Sequence, residues 1–463
     1  MLTISIFIYL VITLAIGFWA SKRIKTTSDF TLAGRSLPMA LVGVTIFATW
    51  FGPEMIMGVP GQFVENGVMG IITDQFGNIL CLSLIAFFYA RRLYRMNITT
   101  LGDFFKIRYN KFLELTASII IIFTYFFWIA AQFVALAYLF HSIMGISISN
   151  GIVLGALIVV IYTYIGGMWA VSITDLLQSV LIVIGLIIVL VIILGKTGGI
   201  EPLFENKPET FFDFFPKNGF YNWTDYLAMW MAFGIGAIPA QEIYQRLFSA
   251  KSENAGATGV LLSGILLFTI SAIPLVIGLG AAYLHPELMG KDEGQNLISD
   301  MVSLYASTPV QMLFYGALIS AILSTSSGAM LSPATIIGEN LLKPYFPNIS
   351  DKRLLLSTRI SVVLVAVICV FMAFNDSNIH GLVVASAVLL MVCLFAPLTF
   401  GLFWKRTSIF GAWLAIFFGG SVWFFCNYYE TRIDPTIYGT LSSCSGLILG
   451  SFLRPDKDNK SSA

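Results

Sequence analysis

The chain has 463 residues, of which 57% are hydrophobic and 11% charged, whereas a soluble globular protein carries roughly a quarter charged residues. This balance excludes a water-solvated multidomain protein and turns length into a count of membrane spans. A net charge of +1 offers no footing for nucleic acid. The five cysteines (Cys81, Cys369, Cys393, Cys426 and Cys444) are odd in number and lack metal-type spacing, so they read as packed free thiols.

With about 20 apolar residues needed per crossing, the sequence divides into thirteen predicted spans, numbered from zero. They are 2–21, 38–59, 67–90, 112–142, 146–165, 169–195, 224–249, 256–285, 309–337, 354–375, 379–404, 408–428 and 436–453. Ile4–Ser21 is expected to remain as a span rather than be cleaved, because no basic segment precedes it and no small-residue cleavage site follows. Span 1 contains Trp50-Phe51-Gly52-Pro53-Glu54 at its middle. Proline removes a backbone donor and clashes with the preceding turn, so the helix should open there. Open backbone at membrane depth is tolerated only inside protein or along a wet cavity, which makes the break a candidate binding site.

Span 6 repeats the feature in Gly234-Ile235-Gly236-Ala237-Ile238-Pro239-Ala240-Gln241-Glu242. Matching interruptions in two helices of opposite direction point to an inverted-repeat transporter with its site at midplane. Because Gly and Pro are commoner in membrane helices generally, two unrelated kinks are the plain alternative. Span 8 then presents Ser324-Thr325-Ser326-Ser327 within an apolar run. Such hydroxyls either glue helices together or supply neutral oxygen ligands to a monovalent cation beside the carbonyls that the span 1 break frees. The outer loop 196–223 links the two halves, and the tail 454–463 reads as a short, disordered cytoplasmic segment.

The basic residues set the orientation. Only Lys196, Lys207, Lys217, Lys291 and Arg432 fall on one side. The other 21 of the 26 occupy 22–35, 91–111, 246–251, 343–359, 405–406 and 454–460. The N-terminus is therefore expected outside and the C-terminus inside, with no basic residue at mid-membrane. Four carboxylates remain within spans: Glu54, Asp74, Asp175 and Glu242. Intramembrane carboxylates are costly and default to functional roles. Glu242 precedes Arg246 by four residues, the spacing of a helical ion pair, which makes it structural or a cytoplasmic gate. Asp175 is open to a salt-bridged helix-end role as well as a ligand role. Glu54 and Asp74, with Trp50 and Trp128, favour a cationic or zwitterionic amine, since aromatic faces attract ammonium groups; packing is the other reading of the two tryptophans. His141, His285 and His380 form no cluster, and no nucleophile–base pairing appears, so no enzyme is expected.

Four segments resemble the sodium:solute symporter family, whose members share the LeuT-type inverted-repeat fold. They are Phe30-Thr31-Leu32-Ala33-Gly34-Arg35, Gly166-Gly167-Met168-Trp169-Ala170-Val171-Ser172-Ile173-Thr174-Asp175-Leu176-Leu177-Gln178, Gln245-Arg246-Leu247-Phe248-Ser249-Ala250 and Ala321-Ile322-Leu323-Ser324-Thr325. The resemblance implies an all-α polytopic membrane protein. It has an extra N-terminal helix (2–21), two five-helix repeats (38–195 and 224–404) and two C-terminal helices (408–453). It also implies a sodium site at the carbonyls of Ala48, Phe51 and Ala321 and the hydroxyls of Ser324 and Thr325. A further sodium site of some members maps onto Asp175 and Ser327, but the next hydroxyl position is Gly328, leaving Ser326 as a substitute.

Around the first break, Trp50, Trp128 and the Ile238-Pro239-Ala240-Gln241 turn are similar to the choline-transporter branch, although Ala240 and Asn78 stand where two cage aromatics would be. In exchange the chain has Glu54 beside the break and Asp74-Gln75 facing it from span 2, so the expected substrate residues are Trp50, Glu54, Asp74, Gln75, Trp128 and Phe233. The expected activity is sodium-coupled import of a choline-like, betaine-like or amino-acid solute by alternating access. The expected setting is a bacterial inner (plasma) membrane, as a monomer or dimer. A partner-coupled membrane sensor and a proton-coupled transporter are the alternatives.

Overall fold

The computed structural model describes residues 2–456 except 206, 218, 290–296 and 376–377. Lys291, Lys457 and Lys460, used for the orientation, and most of the polar tail lie outside the described residues. The described chain is helical, with one isolated parallel bridge between Leu37 and Ala250.

Among the described residues, nine segments are long and apolar enough to cross a membrane, against thirteen expected. Three of the four spans by which the numbers differ have physical causes; the fourth, 2–21, is helix Leu2–Ser21, which counts only as the shorter Val11–Ser21. The two broken helices fall into pieces too short to qualify, namely Met39–Trp50 and then Phe220–Gly234 with Gln241–Phe248. The second half of the first broken helix runs on into the next span, giving Glu54–Arg95. Expected spans 4 and 5 form one segment, Ile148–Thr197, of 50 residues. At 1.5 Å per residue that is about 75 Å, far longer than one bilayer. It turns sharply at Gly167 (φ 49°, ψ −164°) rather than through the expected loop. A side chain at Gly167 would also meet the ring and carbonyl of Phe30, so both the dihedral and the space require glycine.

The first break follows from its residues. Helix Met39–Trp50 stops at Phe51 (φ −87°, ψ 62°), and Pro53, with no N–H to give, starts the next helical turn. The second break spans Ile235–Ala240. There Gly236 donates to Met231 O (2.9 Å) and Ala240 to Ala237 O (3.0 Å), before helix Gln241–Phe248 resumes.

Helix Thr308–Ile336 lies at the centre, with every residue from Phe314 to Ile336 buried. It packs on Ile148–Thr197, Lys111–Met144 and Met39–Trp50, so it touches the first break from behind. The peripheral helices instead expose large apolar side chains, among them Phe371, Phe417, Phe424 and Leu449. A surface so apolar suits lipid and not water. The last two helices, Ile409–Tyr428 and Pro435–Leu453, pair with each other at the edge. All five cysteines are free; three are buried and two half-buried.

Candidate functional site

Two chemical environments meet at the first break. On one side, Thr325 Oγ1 donates to the carbonyl of Ala48 at 3.2 Å, and Ser324 Oγ lies 3.4 Å from the same carbonyl. Ser324 Oγ also donates to Asp175 Oδ1 at 2.5 Å, while Asp175 Oδ2 is buried with no partner. Ala48 lies in the last turn of its helix, where carbonyls have no intrahelical donor to receive, and Phe51 caps that turn. Ala321 sits one turn before the two hydroxyls on the same central helix. Carbonyl and hydroxyl oxygens plus one carboxylate form a hard donor set, suited to Na⁺ or another hard cation. The other two hydroxyls are spent within their own helix: Ser326 Oγ donates to Ile322 O (2.5 Å) and Ser327 Oγ to Ser324 O (3.0 Å). A side chain at Gly328 would run into Arg246 Nη2 and Thr49. The second cation site implied at Asp175 and Ser327 therefore has its next position filled by a guanidinium.

On the other side lies a small cavity of about 50 Å³. Trp50, Glu54 and Met55 of the first break line it, with Asp74 and Asn78, one turn apart on the next helix. Tyr125 and Trp128 enter from Lys111–Met144, Phe233, Ala237, Ala240 and Glu242 from the second break, and Ser386 from Ile379–Leu390. Of the expected substrate residues, Trp50, Glu54, Asp74, Trp128 and Phe233 are brought together; Gln75 is not. Its Nε2 donates to Phe268 O and its Oε1 accepts from Ser271 Oγ at 2.5 Å, so it ties its helix to Glu253–Leu284. It is the immediate neighbour of Asp74, and adjacent residues on a helix point to different faces.

Glu242 also departs from expectation. Its Oε1 accepts from Trp50 Nε1 at 2.9 Å and its Oε2 from the Tyr125 hydroxyl, which in turn accepts from the Glu242 N–H at 3.0 Å. Arg246 does not pair with the carboxylate; its Nη1 donates to the Glu242 carbonyl at 3.2 Å, and its Nε and Nη2 have no hydrogen-bond partner. Helical side chains lean toward the N-terminus. Glu242, in the first turn of Gln241–Phe248, therefore reaches back over the break instead of forward to Arg246. Arg246, placed by sequence at the inner end of its span, is 0% exposed. Tyr125 was missed as well, although it precedes Trp128 by three residues and so shares its helix face.

Asn78 and Ala240 line the cavity without adding rings, so four aromatic walls remain: Trp50, Tyr125, Trp128 and Phe233. Glu54 folds back over the break: a Cβ on Gly52 would sit 2.6 Å from Glu54 Oε2.

A cation-suited oxygen cluster and a cavity joined at a broken helix, within a bundle of apolar helices, define a membrane solute transporter of the LeuT-type fold. The sodium:solute symporter family profile matches residues 30–419, and the chain belongs to that family. It is 26% identical over 436 residues to the osmoregulated proline transporter OpuE of Bacillus subtilis (strain 168), covering 90% of this chain and 87% of the relative. It is likewise 26% identical over 431 residues to the human high affinity choline transporter 1, covering 88% and 74%. In fold it is similar to a Na⁺-coupled sialic acid symporter in a substrate-bound outward-open state. That match has a TM-score of 0.84 and 18% identity, over 99% of this chain and 98% of that one. MhsT in complex with L-phenylalanine is more distant, with a TM-score of 0.55 and 15% identity, over 90% of this chain and 98% of that one. The chain is thus a solute symporter and not an enzyme.

Proposed function

We propose that the protein couples inward sodium flow to the import of a small cationic or zwitterionic amine, with its N-terminus outside and its C-terminus inside a bacterial inner membrane. The observation that carries this reading is the convergence of Ser324 and Thr325 on the Ala48 carbonyl, with Asp175 accepting from Ser324, beside the cavity lined by Trp50 and Glu54. A sodium ion at Ala48, Phe51, Ala321, Ser324 and Thr325 bridges the first broken helix to the central helix. Its binding favours one position of that break, and with it one state of the cavity. Each Na⁺ entering gains about 2.3 kcal/mol per 100 mV of membrane potential, plus its concentration term. The halves 38–195 and 224–404 act as the inverted repeats that rock against each other.

Uptake into proteoliposomes tests the reading. Flux requires an inward sodium gradient, and Thr325→Ala raises the sodium concentration for half-maximal uptake about tenfold or more, the usual worth of a lost ligand to a charged group. Thr325→Ala with wild-type sodium dependence places the ion elsewhere. The unpartnered Oε2 of Glu54 favours a second reading, proton coupling. Flux that survives sodium removal but collapses with the pH gradient decides for it.

A further inference from the structure

We propose, resting on the symport reading above, that the solute is an organic dication with N–H donors at both ends, such as an alkane diamine or a guanidino-amine, and not a zwitterion or a quaternary ammonium.

The two half-helix N-termini at the breaks carry the first part of the argument. These positive ends are where a LeuT-type site would receive an anionic substrate group. In this chain both are occupied by its own carboxylates. Glu54 stands in the first turn after Pro53, folded against Gly52, and Glu242 in the first turn of Gln241–Phe248. A substrate carboxylate at either end would meet a like charge. The donors that could still receive it are few. Trp50 Nε1 and the Tyr125 hydroxyl are already committed to Glu242. Apart from Ser386 and the Asn78 amide, Trp128 Nε1 is the free donor on the wall.

The unmet groups of the cavity are mostly acceptors. Glu54 Oε2 and Asn78 Oδ1 are buried, without a hydrogen-bond partner, in residues about 5% exposed that line the cavity. Asp74 joins them on the wall. Buried polar groups are normally satisfied, so what these acceptors lack is a ligand that brings N–H donors. A quaternary ammonium has none. The aromatic walls suit a cation with an apolar stem: Trp50, Trp128 and Phe233 can cover both the charge and the methylenes.

Charge gives the count. Among the described residues, the buried carboxylates Glu54, Asp74, Asp175 and Glu242 face one buried cation, Arg246. Glu114, the other buried carboxylate, is met by Asn340 and Lys106 away from the cavity. His380 lies within electrostatic reach of Asp74 but outside the lining. Of the four, Glu54 and Asp74 line the cavity and have no ion-pair partner among the described residues, so a dication brings one charged N–H end to each.

The test uses the full-length protein, with 1,4-diaminobutane as probe and choline and L-proline as competitors. Binding is read by thermal shift and flux in proteoliposomes with and without a sodium gradient. The expected result is sodium-dependent diaminobutane uptake that excess choline and proline compete for weakly. In Glu54→Gln and Asp74→Asn the apparent diaminobutane affinity falls about tenfold or more, while the sodium-induced thermal shift, which reports folding and the ion site, persists. Diaminobutane binding without sodium-dependent flux keeps the substrate class and overturns the symport reading. Sodium-driven uptake of choline or proline that diaminobutane does not inhibit does the reverse. Absence of both diaminobutane binding and flux overturns the inference.

Discussion

Glu54 and Glu242 occupy matching places, each in the first helical turn after a membrane break, yet their surroundings differ. Glu242 receives Trp50 Nε1 and the Tyr125 hydroxyl, and so locks the second break to the first and to Lys111–Met144. Glu54 Oε2 has no hydrogen-bond partner, although the Gln132 side chain lies within reach of the carboxyl group. One carboxylate has spent its hydrogen-bonding capacity on structure; the other keeps it for something that arrives. The second break is anchored further along. Gln241 Oε1 accepts from Leu101 N (2.8 Å), and Gln245 Nε2 donates to Thr31 O (2.8 Å) and Thr335 Oγ1 (2.9 Å). Corresponding positions in two halves of one architecture can thus divide holding from binding, and stability measurements can separate the two.

The largest effect is expected from Glu242→Leu. It strands a buried indole N–H and a buried phenol together, and the loss of stability should be about 3 kcal/mol, since an unmet buried donor costs roughly 1–3 kcal/mol. Thermal unfolding in detergent reads this directly. A melting point close to wild type would mean that the Trp50–Glu242–Tyr125 cluster does not hold the breaks together. Trp50→Phe should cost less, about 1–2 kcal/mol, because the carboxylate keeps Tyr125. Combined with Glu242→Leu it should add little, since both single changes remove the same bond. Full additivity in the double variant would show that Trp50 and Glu242 act independently.

The sequence made the breaks legible because their cause is local. A proline without an N–H and glycines beside it interrupt a helix whatever surrounds them. The resemblance pointed to Ala48, Ser324 and Thr325 as one group, and the two hydroxyls do lie against the Ala48 carbonyl; Asp175, matched instead with Ser327, accepts from Ser324. The partner of Glu242, though not its structural character, differs from expectation because the four-residue pairing rule describes an exposed helix face. Inside the bundle it competes with partners from distant sequence, and Trp50, 192 residues away, wins. Gln75 was assigned to the cavity by its proximity to Asp74 in sequence, but the pull of Phe268 O and Ser271 Oγ is tertiary and leaves no local trace. The turn at Gly167 was legible as an interruption. Its form was not, because a single residue of positive φ redirects the chain where a loop was expected.

A smaller effect is expected where the two halves meet away from the cavity. Arg95 and Glu253 join Glu54–Arg95 to Glu253–Leu284 through contacts of 2.6 and 3.0 Å, but their side chains are 66% and 32% exposed. Exposed ion pairs are worth about 0–1 kcal/mol and weaken with salt. Arg95→Gln should therefore shift the melting point slightly at low salt and by less at high salt. A loss comparable to that of Glu242→Leu would relocate the main tie between the halves from the cavity to the surface.

The smallest effect on stability, and the sharpest contrast, belongs to Glu54→Gln. The substitution keeps the size of the side chain and removes a buried carboxylate oxygen that no protein donor meets. No partner is stranded, and any charge that burial had to desolvate is gone. Stability should stay within about 0.5 kcal/mol of wild type or rise, while solute uptake falls. The opposite ordering, with Glu54→Gln costing more stability than Glu242→Leu, would exchange the roles of the two carboxylates: Glu54 would hold the fold, and Glu242 would be the group released to bind.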